Sequence, residues 1–325
     1  FRGWPMTTPD AGRGPEVSVV ICTYNRAAGL ASVLDDLSRQ EDISALRWEL
    51  LVIDNNSTDG TRALVEDRMA HGTLPLRYAF EGEQGKSRAM NRGIVESRGA
   101  IIVFTDDDVD IPSTWLAAIL KPFTDPECMG VGGKVHPDWS VEVPEWASDS
   151  EPYRMMAAIV QYTNGRDARG QIAPPIGANC AFRREVFERH GNFRVDLGHS
   201  GGDPIPGEDI EFGRRLMHHG ERIEYAPDAV MSHPVTNSRL TRNYFERWYF
   251  QRGRLEVALA PYELDPGVRR LAGVPRYLLR ELPEWIFRSL TASDPRGRFY
   301  YKLRACMAAG AIREFYVRRQ DGPVA

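Results

Sequence analysis

Three consecutive carboxylates, Asp106, Asp107 and Asp108, follow a run of mostly apolar residues at 100–104 and a single threonine, Thr105. Such a run is typical of a strand buried on both faces, so the acids mark its end. Adjacent like charges repel and raise one another's pKa, and a divalent cation is the simplest partner that removes the repulsion. Oxygen ligands suit Mg²⁺ or Mn²⁺. The alternative is a solvated acidic turn, because Asp is a common helix cap and Pro112 follows.

Thr23, Asp54 and Asp106 each lie at or directly after the end of a predicted strand, and these strands alternate with helical patterns. The alternation predicts βαβ units and an α/β fold with a mostly parallel central sheet and helices on both faces. The carboxyl ends of parallel strands meet at one edge, where ligands of such sheets bind. Convergence of the three residues there favours a functional role, although each alone could be a turn residue or a helix cap.

The apolar runs and their spacing predict the elements of this fold. We expect strands at 17–22, 49–54, 76–80, 100–104 and 177–182, short strands at 221–225 and 229–231, and helices at 30–37, 87–97, 112–120, 183–190 and from 207 onward. Residues 130–176 lose the periodicity, which is typical of a long pocket-building loop region or of an ordinary connection. Residues 191–206 are expected to form a mobile glycine-rich loop.

Composition and missing motifs exclude several classes of protein. Four widely spaced cysteines predict neither a zinc site nor a disulfide framework, and they fit a reducing, cytoplasmic compartment. No apolar run reaches the ~18 residues of a spanning helix, and no signal peptide is expected. The first strand is not followed by G-x-G-x-x-G, and no phosphate-binding G-x-x-x-x-G-K-[ST] motif occurs. Residues 1–16 are expected to be loose or foreign to the natural chain, with Met6 as the candidate start.

The C-terminal part differs from the rest in charge. Residues 265–325 contain 12 Lys and Arg against 6 Asp and Glu, whereas the whole chain has a net charge of −4. The acidic remainder argues against a nucleic-acid partner, and the basic tail allows an anionic surface. Helices are expected at 276–290 and 298–318. Before them, a helix is expected to carry Tyr244, Phe245, Trp248, Tyr249 and Phe250, and packing of these aromatic residues against the body is the preferred interpretation. A separate hypothesis is a membrane-facing stripe of Tyr277, Leu278, Leu282, Trp285 and Ile286 beside Arg276, Arg280 and Arg288, with packing or a dimer contact as its alternative.

Seven segments together carry a family signature, although each alone is weak. They are residues 19–26, 52–60, 85–93, 104–108, 177–179 and 207–209, and His233. In order and spacing the chain resembles the family 2 glycosyltransferases, inverting enzymes of the GT-A fold, over about residues 17–235. The resemblance implies a GT-A catalytic domain at 17–238, with a nucleotide-binding half at 17–110 and an acceptor half at 111–238. A helical C-terminal extension at 239–325 would follow.

The resemblance also implies a role for each matching residue. The base, usually uracil, would be held by Thr23, Tyr24, Asn25 and Asp54, and the nucleotide and phosphate side would be lined by Lys86 and Asn91. Within the D-x-D motif, Asp106 would face ribose and metal, Asp108 would bind the metal, and Asp107 could share a neighbour's role. His233 completes the metal site in some members. Asp209 matches the catalytic base, with Glu208 beside it, and the candidate acceptor or sugar pocket comprises Gly177, Ala178, Asn179 and Trp139.

The prediction is therefore a cytoplasmic glycosyltransferase that requires Mn²⁺ or Mg²⁺ and uses a nucleotide-diphosphate sugar, with a UDP-sugar favoured. The expected acceptor is a glycan or a lipid-linked sugar, and the inner membrane face and a second copy of the chain are candidate contacts. A sugar nucleotidyltransferase is one alternative, but the Gly-rich basic loop it needs after the first strand is missing. A sugar-binding module or partner subunit without activity is the other, and intact Asp106, Asp108 and Asp209 argue against it.

Overall fold

The computed structural model describes residues 14–72, 74–166, 172–198, 205–263 and 267–320. Residues 1–13 of the expected loose start and 199–204 of the expected glycine-rich loop lie outside this part of the chain. Two compact units are found. The first is drawn from Phe1–His136, Gln161–Asp203 and Glu208–His233, and the second from Pro137–Val160, Pro204–Gly207 and Pro234–Ala325. The expected boundary between a catalytic domain and an extension at residue 238 stays a prediction.

A seven-stranded sheet forms the centre of the first unit. Its strands are β1 (Val17–Thr23), β2 (Trp48–Asp54), β3 (Leu76–Phe80), β4 (Ile101–Thr105), β5 (Cys128–Asp138), β6 (Asn179–Arg183) and β7 (Arg222–Pro234). The strand order is β3-β2-β1-β4-β6-β5-β7. Strands β1 to β4 run parallel, whereas β6 is antiparallel to β4 and β5. The predicted α/β class, with a mostly parallel central sheet, is confirmed.

Helices flank this sheet, and their apolar faces follow the predicted spacing. They are α1 (Ala27–Ser38), α2 (Thr61–His71), α3 (Lys86–Glu96), α4 (Trp115–Leu120), α5 (Arg184–His190) and α6 (Glu208–His218). In α1 the buried residues recur at helical intervals, as Leu30, Val33, Leu34 and Leu37. Helix α4 begins three residues after the predicted start at Pro112.

Strand β5 contradicts the prediction of a loop from residue 130. Its glycines hide the strand pattern, since glycine is disfavoured in strands. Packing explains their presence. A side-chain carbon on Gly130 would lie 2.8 Å from the Phe182 ring, and one on Gly133 would lie 2.4 Å from the side-chain amide of Asn179. Neighbouring side chains occupy the space beside the strand, so glycine stands where a strand-forming residue would otherwise mark the strand in the sequence.

Strand β7 also differs from the prediction, which placed two short strands around a break. The structure has one continuous strand through Pro227. Proline removes a backbone donor, so it is tolerated in sheets mainly on edge strands. Because β7 lies at the edge of the sheet, Pro227 is accommodated there.

The second unit is mainly helical. It contains α7 (Arg242–Glu263), a hairpin of β8 (Arg270–Leu271) and β9 (Val274–Pro275), α8 (Arg276–Thr291) and α9 (Pro295–Gln320). The aromatic residues of α7 pack inside this unit. Phe245 is fully buried, and its ring meets Trp146 edge to face at 5.1 Å. Among the described residues, no helix is long and apolar enough to cross a membrane.

Helices α7 and α9 touch through bare backbone. A side-chain carbon on Gly253 would lie 1.9 Å from the carbonyl oxygen of Met307, and one on Gly310 would lie 2.0 Å from that of Phe250. Close by, Arg254 Nε donates to Glu314 Oε2 at 2.9 Å, and both side chains are buried. Alanine at either glycine would therefore have to separate the two helices.

The apolar face predicted for α8 is wrong in most of its residues. Leu278 is buried, and Leu282 and Trp285 pack with it against α9 residues such as Ile312 and Phe315. These three residues face the interior of the unit and not a solvent or lipid surface. The spacing of apolar residues along α8 is compatible with two faces, and packing against α9 determines which is buried.

Candidate active site

Three candidate metal ligands converge at the end of β4. Asp106, Asp108 and His233 each present a ligand atom, and these atoms lie within 4.8 Å of one another. The imidazole Nε2 of His233 lies 3.5 Å from Asp108 Oδ1. Two backbone hydrogen bonds between Asp110 and Ser232 hold β7 beside the acidic segment. Two carboxylates and an imidazole suit a first-row divalent cation such as Mn²⁺, so the donor set fits the predicted metal.

Arg26 lies beside Asp107 and Asp108 of the acidic segment. Its Nη1 atom is 3.3 Å from Asp107 Oδ1 and also makes a close ion pair with Asp108. Burial raises the pKa of Asp107 to about 6, and the neighbouring carboxylates add to this, whereas Arg26 opposes it. The loop after β1 thus supplies a positive charge to the acidic cluster.

Lys86 connects the acidic cluster to a second carboxylate site. Its Nζ atom donates to Asp106 Oδ1 at 2.8 Å. Burial alone would lower the Lys86 pKa, but Asp106, Glu208 and Asp209 hold it well above its usual value. Burial would likewise raise the pKa of Asp106, and Lys86 reverses this and keeps it low. Lys86 is therefore a fixed positive charge at the start of α3.

Asp209, in the first turn of α6, is fixed by backbone donors. Its Oδ2 atom accepts from the Gly177 N–H at 2.6 Å, and its Oδ1 atom accepts from the Ile210 N–H at 2.8 Å. Burial, followed by repulsion from Glu208, raises the pKa of Asp209 to about 6, whereas Lys86 lowers it. A carboxylate with a raised pKa, held in place by two donors, is suited to accept a proton.

Asp54 ends β2 and is buried, with both of its oxygens bonded. Tyr78 donates its hydroxyl to Oδ2, and the Ser57 N–H donates to Oδ1, each at 2.9 Å. A carboxylate has about four acceptor positions, so each oxygen can accept one further hydrogen bond. Asp54 is thus oriented but still able to bind an N–H donor of a ligand.

The loops that follow β1 and β2 are joined by Asn25. This residue has a left-handed backbone with φ of 51°, and its side-chain oxygen accepts from the Thr58 N–H at 2.7 Å. The preceding Thr23 is buried, whereas Tyr24 is half exposed. The structure brings Thr23, Tyr24 and Asn25 to the same edge of the sheet as Asp54, as their strand positions predicted.

Two of the predicted binding amides are occupied by other parts of the protein. Asn91 donates to the Phe193 carbonyl at 2.8 Å and accepts from the Phe193 N–H at 3.0 Å. Asn179 is fully buried and accepts from Trp115 Nε1 while donating to the Lys134 and Ala229 carbonyls. Their contact with a ligand stays a prediction that the geometry does not favour.

The rest of the predicted acceptor pocket is divided between the units. Gly177 contacts Asp209 through its N–H, and the adjacent Ala178 is buried. Trp139 belongs to the second unit, where its side chain is 42% exposed. Glu208 is buried beside Asp209 at the start of α6. Gly177 is thus the pocket residue with a direct contact to the candidate base.

Sequence reasoning assigned no role to Arg26 and did not identify Tyr78. Arg26 is the last residue of the matched segment 19–26, so its positive charge next to Thr23, Tyr24 and Asn25 was the available signal. Tyr78 lies within β3 and meets Asp54 only because β2 and β3 pair in parallel. No local pattern marks it.

Comparison with known proteins agrees with this geometry. The family model described as glycosyl transferase family 2 matches residues 18–191. The succinoglycan biosynthesis protein ExoM of Rhizobium meliloti (strain 1021) is 26% identical over 302 residues, which cover 91% of each chain. The match extends through both units and is not limited to the sheet.

Solved structures share the fold. The mannosyltransferase PcManGT from Pyrobaculum calidifontis, in complex with GDP-Man and Mn²⁺, has a TM-score of 0.62 at 22% identity, covering 96% of this chain and 90% of that chain. TarS 1–349 of S. aureus, in complex with UDP-GlcNAc, has a TM-score of 0.54 at 16% identity, covering 95% and 93%. At these identities the likeness shows the fold alone.

Proposed function

The chain belongs to glycosyl transferase family 2 and is therefore a glycosyltransferase, and on that premise we propose that it moves a sugar from a nucleotide-diphosphate donor to a hydroxyl group with inversion. The preferred donor is a UDP-sugar and the acceptor a glycan or a lipid-linked sugar. The required cation is Mn²⁺ or Mg²⁺. Support for a nucleotide-sugar donor comes from the two structural neighbours, one bound to GDP-Man and the other to UDP-GlcNAc.

The observation that carries this proposal is the position of Asp209 relative to the metal cluster. Lys86 bonds to Asp106 of the cluster. A side-chain carbon placed on Gly177 would lie 3.5 Å from Lys86 Nζ and 3.3 Å from Asp209 Oδ2, so the lysine and the candidate base border the same space. Lys86 is therefore close to both the candidate metal site and the candidate base. An inverting single displacement needs a base across the sugar from the departing diphosphate, and a carboxylate that is near the candidate metal ligands but separate from them suits this role.

In this mechanism Asp209 accepts the proton of the acceptor hydroxyl while that oxygen attacks the anomeric carbon. Gly177 and Ile210 hold the carboxylate by their N–H groups, so its orientation is set before the acceptor arrives. Asp54 accepts an N–H of the base and thereby fixes the nucleotide. A cation held by Asp106, Asp108 and His233 would supply Lewis-acid stabilisation to the departing diphosphate.

A panel of nucleotide-sugars tests the proposal. With Mn²⁺ present, the donor should raise the thermal stability of the protein, by about 2.7 kcal/mol at 100 times its Kd. Incubation with that donor and candidate acceptors should release a nucleoside diphosphate as sugar is transferred. Release of pyrophosphate from a nucleoside triphosphate would instead identify a nucleotidyltransferase. Binding without any transfer or donor hydrolysis would favour the inactive sugar-binding module.

Replacing Asp54 by alanine should weaken UDP binding and leave the protein folded. A hydrogen bond to a charged group contributes about 1.5–3 kcal/mol, so the Kd for UDP should rise by about 10–150-fold. Calorimetric titration with UDP measures the change. Tyr78→Phe is the matched control, because it removes one partner of the carboxylate and keeps the charge, and its effect should be smaller. Unchanged UDP affinity in Asp54→Ala would remove Asp54 from the donor site.

The rate of transfer should depend on pH through Asp209. Burial raises the pKa of this carboxyl to about 6, and only the ionised form accepts a proton. We therefore expect kcat/KM to fall about tenfold per pH unit below pH 6 and to level off above it. The measurement is kcat/KM across pH at saturating metal. A profile without change between pH 5 and 7 would contradict this assignment.

A further inference from the structure

One face of α8 is apolar and exposed although the opposite face is packed against α9. The exposed side chains recur at intervals of three and four residues, so they form one stripe along the helix. We call this the α8 stripe, and it consists of Leu279, Pro283, Ile286, Phe287 and Leu290. Phe287 and Leu290 are 66% and 75% exposed. At 1.5 Å per residue the stripe is about 17 Å long.

The surroundings of the α8 stripe are basic. Residues 267–298 contain seven arginines and three acids. Arg276 and Arg280 are exposed and lie along one border of the stripe, at the helical positions next to Leu279 and Phe287. Of the two acids on α8, Glu284 pairs with Arg288 at 2.7 Å. Because Glu284 is already paired, the border of the stripe keeps a net positive charge.

This combination fits a lipid surface better than a second copy of the chain. A two-fold contact would bring the same net positive, arginine-bordered face against itself, and its exposed acid Glu284 is already paired with Arg288. A single amphipathic helix can lie in a membrane interface with its apolar side chains between acyl chains and its arginines at anionic headgroups. Arginine side chains can also extend along the apolar surface to reach the headgroups.

We propose that the α8 stripe is a membrane-docking surface, which places the second unit on an anionic lipid surface. Phe287 and Leu290, which are more exposed than Leu279 and Ile286, would enter the lipid, and Arg276 and Arg280 would meet the headgroups. This surface differs from the one that the spacing of Leu278, Leu282 and Trp285 suggested, because those side chains pack against α9.

Vesicle co-sedimentation of the full chain tests the proposal without a sugar donor. The parent should bind vesicles made of equal parts phosphatidylcholine and phosphatidylglycerol more strongly than pure phosphatidylcholine vesicles. Phe287→Gln/Leu290→Gln should weaken binding about 100-fold, since each buried side chain contributes about tenfold. Arg276→Gln/Arg280→Gln should weaken binding to the anionic vesicles about 30-fold and leave binding to neutral vesicles unchanged.

The matched control is Val95→Gln/Tyr316→Gln, which removes two exposed apolar side chains that are not part of the α8 stripe and should bind like the parent. Circular dichroism checks that every variant remains folded. The proposal would be overturned if the parent bound neither type of vesicle, or if Phe287→Gln/Leu290→Gln bound vesicles as strongly as the parent. A parent dimer that becomes a monomer in that variant by analytical ultracentrifugation would assign the face to a second copy. None of these results bears on the transfer reaction.

Discussion

Asp209→Asn is expected to lower the rate of sugar transfer by about 10²–10⁴-fold, the usual contribution of a general base. The substitution keeps the shape of the side chain and one oxygen for the Gly177 N–H, and it removes the group that accepts the proton. Donor binding should survive, because we assign this residue to the acceptor hydroxyl and not to the nucleotide. Single-turnover transfer and calorimetric donor binding, measured on the same preparation, separate the two effects.

Glu208→Gln is the matched comparison for this variant. Glu208 is buried next to Asp209 and raises its pKa, so its replacement should affect transfer less and shift the pH profile to lower pH. If Asp209→Asn instead abolishes donor binding with metal present, Asp209 belongs to the donor or metal site. If Asp209→Asn transfers sugar at the parent rate, the base is another group, and Glu208 is the first candidate.

Removal of divalent metal should reduce transfer to background, and Mn²⁺ should restore it. The donor set of Asp106, Asp108 and His233 combines hard oxygens with an imidazole, which Mn²⁺ accommodates better than Mg²⁺. Loss of an outer-shell partner lowers metal affinity by about 10–100-fold. Asp108→Asn removes a direct ligand, so it should weaken Mn²⁺ binding by more than that. Calorimetric titration with Mn²⁺ and UDP measures this independently of activity.

Asp110→Asn provides the control for charge. It removes an exposed carboxylate two residues after Asp108 and outside the three-residue cluster, so Mn²⁺ affinity should change little. Full activity of the parent in excess EDTA would contradict the metal site as a whole. Equal loss of Mn²⁺ affinity in both variants would show that net charge and not coordination holds the ion.

Much of the fold could be predicted from the sequence, because the parallel strands are buried on both faces and read as unbroken apolar runs. The family prediction is also confirmed by the family model that matches residues 18–191, and the segments at 19–26, 52–60 and 104–108 lie at strand ends. Strand β5 could not be predicted in the same way. Its glycines are there because Phe182 and Asn179 approach the backbone closely, and a local pattern does not record such contacts.

The sequence could predict those site residues that lie at the end or the start of a strand or helix. That Asp108 and His233 come together depends on the pairing of Asp110 with Ser232, over 100 residues apart in sequence, and only the resemblance suggested it. The role of Tyr78 beside Asp54 had no local signal. On α8, residues 278, 282 and 285 and residues 279, 283 and 287 both have helical spacing, and packing against α9 decided between them.

The close approach of α7 and α9 at their glycines sets the register of the two helices by steric exclusion. The apolar residues of α9 are distributed around the helix, so hydrophobicity alone does not select one alignment. A slide of α9 by one turn would bring Cys306 or Glu314 to the place of Gly310 against the Phe250 carbonyl, where a side-chain carbon does not fit. Two glycines therefore fix the alignment of the two helices, which packing between apolar side chains usually fixes. A shift by one turn is excluded because a side chain would clash with the backbone of the other helix.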